Sequence, residues 1–586
     1  EFYIEAYGHE DYNQPKGGDG APAAPQGEFV VRAAQRARFS TEDRVTENRD
    51  RPNILLIMTD QQRWDTLGAT GNATIRTPNL DRLAREGTLF SEAITPSPVC
   101  APARAALMSG YSPSRLHFTS NSGFLADQED TLPTLLNRAG YHTQALGKMH
   151  FPQPDGGHDR PWAATCGFQD LLLSEETRWS RQARCLDEVA FDDYDRFLLE
   201  QGLWGWGTPP EIGYNEIKPV MSALPEEYGV TAWLGDRTVE YLARPHDKPF
   251  FAFVSFVKPH APYDPPEEWA GMYDPYTIPP PLRTPAERYR PNPQYEQERR
   301  KREWDLYSEF AELTSRAYYY ANISLIDKQI GRILEALDSA GLRDNTFILF
   351  TSDHGDLLGD HWLWFKYHAF DSCARVPLIA AGPGVPAGVR VDGPVINLLD
   401  LFATILARAG VPVPANRPSR DLLSYLPGEG SSSEFVVQEV NDAGRRCRAV
   451  RSREYLYVHW EDGGYEELYD LRQDPYQLHD QGALPATAPR RKEYRTALID
   501  WLRTWGDPAW ELDAHGDLTE HEFRGLPQVR WLPRPHGRTP FESRVAPKLW
   551  PKKDDWWLWW WNALDGDASR LLELARQRPR ALGGGS

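Results

Sequence analysis

The sequence predicts an α/β fold: a mostly parallel sheet sandwiched by helices, followed by a small C-terminal antiparallel α+β subdomain. Three observations predict it. Apolar runs at 53–58, 250–257, 346–351 and 376–381 are short and nearly unbroken, as strands buried on both faces must be. Helical patterns lie between them, which is the alternation of a parallel sheet with crossover helices. From about residue 421 the texture changes to short alternating segments around Asp462-Gly463-Gly464.

Residues 1–50 lack periodicity and carry Pro15-Lys-Gly-Gly-Asp-Gly, so they read as an irregular arm. The first strand, Asn53-Ile-Leu-Leu-Ile-Met58, ends in Thr59-Asp60. Ligands of open α/β sheets bind at the carboxyl ends of the strands, so Asp60 is a candidate site residue. A helix follows, with Thr77 suited to the N-cap, Pro78 to the first turn and Gly87 to the stop. A long helix presents Ile323, Ile326, Ile330, Ile333, Leu334 and Leu337 on one face and ends at Gly341. Residues 152–247 and 264–306 are Pro- and Trp-rich insertions of the kind that wall a pocket. The segments 448–458 and 465–471 read as a hairpin, with a helix near 490–505. The resulting division is an arm (1–50), a catalytic α/β domain (51–420), a C-terminal α+β subdomain (421–508) and a Trp/Pro-rich tail (509–586).

Composition narrows the function. There are 586 residues, with 65 Lys and Arg against 84 Asp and Glu, a formal net charge of −19. That field repels nucleic acid and anionic membrane, but it does not exclude an anionic substrate in a locally basic pocket. Five cysteines (Cys100, Cys166, Cys185, Cys373 and Cys447) are too few for a disulfide scaffold, although one bridge is possible. No apolar run reaches membrane-span length. The chain starts at Glu1 without a signal-like segment, so any targeting peptide is expected to be absent already, and the final Gly-Gly-Gly-Ser looks like a linker. The compartment is not readable. The cluster Trp556-Trp-Leu-Trp-Trp-Trp561 reads as a tail docked on its own core or on another subunit, making a homo-oligomer possible.

The chemistry lies in a set of short motifs. Cys100-Ala-Pro-Ala-Arg104 opens a segment that runs to Ser109-Gly110. A nucleophile at a helix start sits among unpaired N–H groups at the positive end of the dipole, and Arg104 lies one turn on, on the same face. Gly147-Lys148-Met-His150, Pro259-His260-x-Pro262 and Ser352-Asp353-His354-Gly355 follow in order, with Lys366 in Leu-Trp-Phe-Lys-Tyr-His. Singly, each has a plain structural reading: a buried cysteine, core histidines, a strand-end turn residue, a snorkelling lysine. Two carboxylates and an imidazole at strand ends suit one hard or borderline divalent cation, such as calcium, magnesium or manganese.

Together, in this order over residues 52–475, the motifs resemble those of the formylglycine-dependent sulfatases. The segments around His150 and Lys366 are also similar to choline sulfatases, and Gln61 and His354 resemble the pattern of phosphonate monoester hydrolases and choline sulfatases. The resemblance implies an alkaline-phosphatase-like fold and oxidation of Cys100 to formylglycine by a formylglycine-generating enzyme. It implies one divalent ion held by Asp60, Asp353, His354 and the position-100 oxygen. In this sequence Gln61 stands where many sulfatases carry a second Asp, and His354 where many carry Asn, so Gln61 is a possible further ligand and manganese stands beside calcium. The resemblance further implies attack on sulfur by a formylglycine hydroxyl deprotonated by Asp353. Arg104, Lys148 and Lys366 hold the sulfuryl oxygens, His260 with Lys366 protonates the leaving alcohol, and His150 takes the proton that lets sulfate go. Asn121, His361 and His368 are candidate substrate-binding residues. The implied substrate is a small-molecule or saccharide sulfate monoester. Hydrolysis of phosphonate monoesters or phosphodiesters by the same apparatus is the alternative within enzymes, and an inactive binding protein retaining the fold is the alternative outside them.

Overall fold

The computed structural model describes residues 51–121, 130–150, 166–175, 192–203, 216–427, 434–442 and 445–523. The arm, Cys185 and the Trp cluster of the tail lie outside the described residues.

The first apolar run is strand β1, Asn53–Asp60, buried along its whole length. Its side chains alternate between two cores. Ile54, Leu56 and Met58 join Phe251, Phe253 and Leu349 on one face. Leu55 and Ile57 join Ala252, Val254, Ile348 and Phe350 on the other. Burial on both faces is why the run shows no polar alternation. Truncating one of these residues, as in Leu56→Ala, costs about 2–5 kcal/mol through lost transfer energy and a cavity.

In chain order the remaining strands are β2 (Thr88–Phe90), β3 (Ala93–Ile94), β4 (His142–Gly147), β5 (Asp170–Leu173), β6 (Phe250–Pro259), β7 (Thr346–Ser352), β8 (Arg375–Val376), β9 (Leu378–Ala381), β10 (Val389–Val391), β11 (Ile396–Asn397), β12 (Phe435–Asp442), β13 (Arg445–Ser452), β14 (Tyr455–Trp460) and β15 (Glu466–Asp470). The main sheet has the order β10-β2-β9-β7-β1-β6-β4-β5. β1 is parallel to β6 and β7, and β4 to β6 and β5, whereas β9 runs antiparallel to both its neighbours. A second sheet is β11-β3-β8 and a third, fully antiparallel, is β12-β13-β14-β15.

The helices used below are α1 (Pro78–Glu86), α2 (Cys100–Ser109), α3 (Leu132–Arg138), α4 (Val230–Leu242), α5 (Pro293–Lys301), α6 (Glu309–Ser339), α7 (Asp400–Arg408) and α8 (Ala488–Trp505). α1, α4 and α6 cover one face of the main sheet, and α2, α3 and α7 cover the other. The fold is alkaline-phosphatase-like, mixed but mostly parallel, with the small antiparallel sheet beyond it.

Three local expectations change, and the start of the long helix is defined. The run 376–381 is not one strand: Pro377 separates β8 from β9, which lie in different sheets. Proline has no N–H to give a ladder, so the chain changes sheets there. Thr77 does not cap α1 with its side chain. Its Oγ1 accepts from Gly68 N (3.0 Å) and lies 3.2 Å from Asp81 Oδ1. The first-turn amides of Asn79 and Leu80 donate instead to Asp327 of α6 (3.1 and 2.7 Å). The long helix α6 begins fourteen residues before its Ile stripe, capped by Ser308, whose side chain accepts from Ala311 N. Finally, 448–458 holds parts of two strands, β13 and β14, folded back through a turn in which Ser452 Oγ accepts from Glu454 N and Tyr455 N (3.1 and 3.0 Å).

The hairpin around Gly463 and Gly464 stands as read; both residues have positive φ (91° and 61°), where a side chain would be strained. α8 packs on the C-terminal sheet through Tyr494, Leu498 and Leu502. Residues 509–523 extend that unit: Leu518 joins the same core, and Glu511 forms a buried pair with Arg448 (2.7 Å). Of the cysteines, Cys100, Cys166, Cys373 and Cys447 are buried and unbridged. Among the described residues no helix is long and apolar enough to cross a membrane.

Candidate active site

Four adjacent strands, β7-β1-β6-β4, deliver the predicted residues to one sheet edge. Asp60 ends β1, and Thr59 is in register with Ser352 at the end of β7, which hands on to Asp353 and His354. Pro259 ends β6 beside Asp60 and hands on to His260. Gly147 ends β4 opposite Ser255, and Lys148 and His150 follow. A Cβ at Gly147 would lie 2.1 Å from the Ser255 carbonyl, so only glycine lets β4 pass. The parallel arrangement therefore brings every carboxyl terminus, and every motif that follows one, to the same side.

Cys100 is the first residue of α2 and is wholly buried. Lys366 Nζ donates to its Sγ at 2.6 Å, His354 Nε2 lies at 3.2 Å and Asp60 Oδ1 at 3.7 Å. Ala101 N, one of the orphan amides of the helix start, donates to Asn121 Oδ1 at 3.1 Å, which ties Asn121 to the turn that carries Cys100. Arg104 does point back along the helix. Its Nε donates to Asp353 Oδ2 (2.8 Å), Nη1 donates to Lys148 O (2.8 Å) and Ser255 Oγ (2.7 Å), and Nη2 lies 3.6 Å from Asp60 Oδ2. Lys148 Nζ pairs with Asp60 Oδ2 at 2.5 Å.

The electrostatics follow from burial against these partners. Burial alone would raise Asp60, but Lys148, His260, Lys366 and Arg104 hold it well below the usual carboxylate range. Burial and then the Asp60 charge push the Cys100 thiol up to about 11, so at neutral pH it is a thiol. Burial opposes the charge on Lys366, yet the Cys100 sulfur and Asp60 outweigh it and raise the amine above its ordinary value. Burial lowers His354 to about 4. Its Nδ1 donates to the Gly355 carbonyl (2.9 Å), which leaves a lone pair on Nε2 facing Cys100. His260 is likewise held well below its ordinary value by burial and by Lys366, with Nδ1 donating to Ala261 O at 2.6 Å.

One group in particular could hold a metal. Ligand atoms of Asp60, Cys100, Asp353 and His354, all buried, lie within 4.8 Å of one another. His354 Nε2 faces Asp60 Oδ1 at 3.8 Å and Asp353 Oδ1 at 3.7 Å, so acceptor lone pairs converge where a cation fits. Gln61 is buried beside them with φ of 74°. Its backbone N donates to Asp353 Oδ1 (3.0 Å), and its amide Nε2 turns to Asp356 Oδ2 (2.6 Å).

Of the other candidates, His150 is buried in a left-handed turn (φ 57°). His361 pairs with Glu287 (2.7 Å) and stacks on Phe370 (3.9 Å between centroids). His368 pairs with Glu298 (3.0 Å) and stacks on Tyr295 (5.4 Å). These contacts seat both in an aromatic cluster that includes Trp460 and Tyr469 of the C-terminal sheet. Sequence reasoning missed Ser255, which accepts from Arg104, and Glu175, whose Oε1 accepts from Met149 N and His150 N (2.9 and 2.8 Å) and so shapes the turn that carries His150. Neither belongs to a motif; Ser255 lies inside β6 opposite the end of β4, and Glu175 follows the end of β5.

Fold and site together define an alkaline-phosphatase-like hydrolase with a buried cysteine at a helix start, a cluster of side chains that could hold a metal and a set of cations. More narrowly, the chain belongs to the sulfatase family, whose model, described as Sulfatase, matches residues 52–411. It is 31% identical to an arylsulfatase of Clostridium perfringens (strain 13 / Type A), covering 77% of this chain and 93% of that one. It is also 31% identical to a choline-sulfatase of Rhizobium meliloti (strain 1021), covering 79% and 88%. Among solved structures, a phosphonate monoester hydrolase of Agrobacterium radiobacter superposes with a TM-score of 0.66 at 26% identity, covering 80% of this chain and all of that one. The protein is thus a sulfuric ester hydrolase, of a family that generally uses a divalent metal and a cysteine-derived formylglycine.

Proposed function

We propose that this protein hydrolyses a sulfate monoester through formylglycine formed at Cys100, with one divalent ion held by Asp60, Asp353 and His354. The observation that carries the reading is the convergence on Cys100 Sγ of Lys366 Nζ, His354 Nε2 and Asp60 Oδ1, at 2.6, 3.2 and 3.7 Å. A bare thiol pushed up to about 11 is a poor nucleophile at neutral pH, which favours a modified side chain there. The ion, calcium, manganese or magnesium by its ligands, would supply Lewis acidity to the nucleophile and to the sulfuryl oxygens.

The remaining work falls to the chain. Arg104, Lys148 and Lys366 outnumber the carboxylates of Asp60 and Asp353, so the site keeps a positive surplus for a monoanionic ester inside an acidic protein. Three donors (Arg104 Nε, Gln61 N and His354 N) fix the orientation of Asp353, which suits a ligand role. Lys366, held in its charged form, is the proton-bearing group beside the reaction centre. His260 and His150 serve the departing alcohol and the release of sulfate.

A second reading is hydrolysis of a phosphonate monoester or phosphodiester. Gln61 and His354 favour it, as does the likeness to a phosphonate monoester hydrolase. Both esters carry one negative charge, so shape rather than charge separates them, and some cross-reactivity is expected. Intact mass fixes the fraction of position 100 that is aldehyde; kcat/KM is then compared for aryl sulfate, aryl phosphonate and diaryl phosphate. Faster turnover of sulfate is expected. A clear preference for either phosphorus ester overturns the sulfate assignment.

A further inference from the structure

The loop that carries Asp353, His354 and Lys366 folds around a carboxylate to which the roles above give no task. Asp356 is wholly buried. Its Oδ2 accepts from Gln61 Nε2 and from the Tyr263 hydroxyl, each at 2.6 Å. Its Oδ1 accepts from the backbone amides of Leu358 (2.9 Å) and Phe365 (3.1 Å). An ionised carboxylate offers about four acceptor sites, and here four donors fill them.

Three of those donors lead to the reacting position from separate parts of the chain. Gln61 follows Asp60, and its own amide donates to Asp353 Oδ1 at 3.0 Å. Tyr263 stands in the same turn as His260. Phe365 precedes Lys366, whose Nζ reaches Cys100 Sγ at 2.6 Å. A second link closes the circle: the Tyr263 ring meets Tyr319 edge-on at 5.7 Å, and the Tyr319 hydroxyl donates to Gln61 O at 2.6 Å. Arg63 holds the same loop from its other side, donating to Asp356 O (2.9 Å) and pairing with Asp360 (2.7 Å).

We propose that Asp356 is a positioning residue that sets Asp60-Gln61, the His260 turn and Lys366 in register with one another without touching the reacting group. The inference rests on the function proposed above only in reading its effect through Lys366. Asparagine has the same outline as Asp356 but must present its NH₂ either to Gln61 and Tyr263 or to the Leu358 and Phe365 amides, so the four contacts cannot all survive in Asp356→Asn. A misplacement of the order of 1 Å at a catalytic group costs about 10²-fold in rate.

The experiment uses the full chain with its aldehyde and metal contents measured. Asp356→Asn, Tyr263→Phe, Lys366→Ala and the double variant Asp356→Asn/Lys366→Ala are assayed on aryl esters of graded leaving-group acidity. The ester is whichever class the wild type turns over fastest. Asp356→Asn is expected to lower kcat about 10²-fold with KM nearly unchanged, and to steepen the dependence on leaving-group acidity. Tyr263→Phe should move the same way by less. The double variant should lose less than the two single losses combined, because part of the Asp356 effect runs through the lysine and part through Gln61 and Tyr263. Wild-type kcat in folded Asp356→Asn, or fully additive losses in the double variant, overturns the proposal. If Asp356→Asn does not fold, the same cycle with Tyr263→Phe decides by the same criteria. Slow sulfate but fast phosphonate turnover by the wild type would refute only the substrate reading, since variant-to-wild-type ratios are then taken on the phosphonate.

Discussion

Lys366 and Cys100 are 266 residues apart in sequence, yet the lysine ammonium donates to the cysteine sulfur over 2.6 Å with both side chains buried. A buried ammonium needs anionic or polarisable partners, and here the sulfur and Asp60 supply them. The ammonium is therefore placed to meet Asp60 and position 100 together. Four expectations follow from this arrangement and its surroundings.

Position 100 should carry an aldehyde in matured protein, detectable by intact mass and by reaction with a hydrazine. Cys100→Ala should lower kcat by about 10³-fold or more, while circular dichroism and Tm stay near wild type. Full activity in that variant would remove position 100 from the chemistry.

Asp60→Ala, Asp353→Ala and His354→Ala should each reduce bound divalent metal and rate together. Chelation of the wild type should abolish turnover, and re-addition of one of calcium, manganese or magnesium should restore it. Elemental analysis with parallel kinetics checks this; a variant with normal metal and normal rate takes its residue out of the cluster.

Arg104 uses its guanidinium as a fork, touching Asp353, the Lys148 carbonyl and Ser255 at once. Lysine cannot reproduce that geometry, so Arg104→Lys keeps the charge but leaves two or more acceptors unmatched. The expected result is a loss of stability of about 1–3 kcal/mol and a fall in kcat on the order of 10²-fold. Denaturant unfolding and steady-state kinetics measure the two; a wild-type kcat would show that charge alone suffices.

Glu439 links the C-terminal sheet to the turn after α2 by accepting from Ser114 N at 2.8 Å. Burial, and then Glu511, push its carboxyl up to about 8 against the opposing Arg448. The folded state thus holds this proton more tightly than the unfolded chain. Stability from this group is greatest below the ordinary Glu range and is lost as pH rises from about 4.5 toward about 8, by up to about 1.4 kcal/mol per pH unit. Glu439→Gln removes the titration, so its stability relative to wild type should rise across that window. A difference independent of pH in paired denaturation curves would place the Glu439 titration elsewhere.

Much of this was legible from sequence, for physical reasons. Strands buried on both faces must be apolar throughout, so β1, β6 and β7 announce themselves, and a polar residue at the carboxyl end of such a strand, like Asp60 or Asp353, is conspicuous. Residues that work through a long-range hydrogen bond leave no local pattern: Glu175, Ser255 and Tyr263 look like ordinary polar positions until the sheet aligns their strands. The Thr77 cap failed because Asp327, distant in sequence, reaches the same amides. Pro377 is a visible break inside an apolar run, and its missing N–H is the local signal that divides β8 from β9.

Cys100 has no exposed surface in the folded chain, and the segment that closes over it, Asp353 to Lys366, is synthesised last among the strands that meet there. At ribosomal speeds of about 5–20 residues per second, the interval between the emergence of Cys100 and of Lys366 is roughly ten to fifty seconds. Any protein that oxidises the cysteine has to act within that interval or before the main sheet closes. On the formylglycine reading proposed above, a chain that folds faster than it is modified would be shut with an inert thiol inside; the active fraction of a preparation would then record a race between two rates, and slowing translation or lowering temperature during synthesis should change it without altering a single residue.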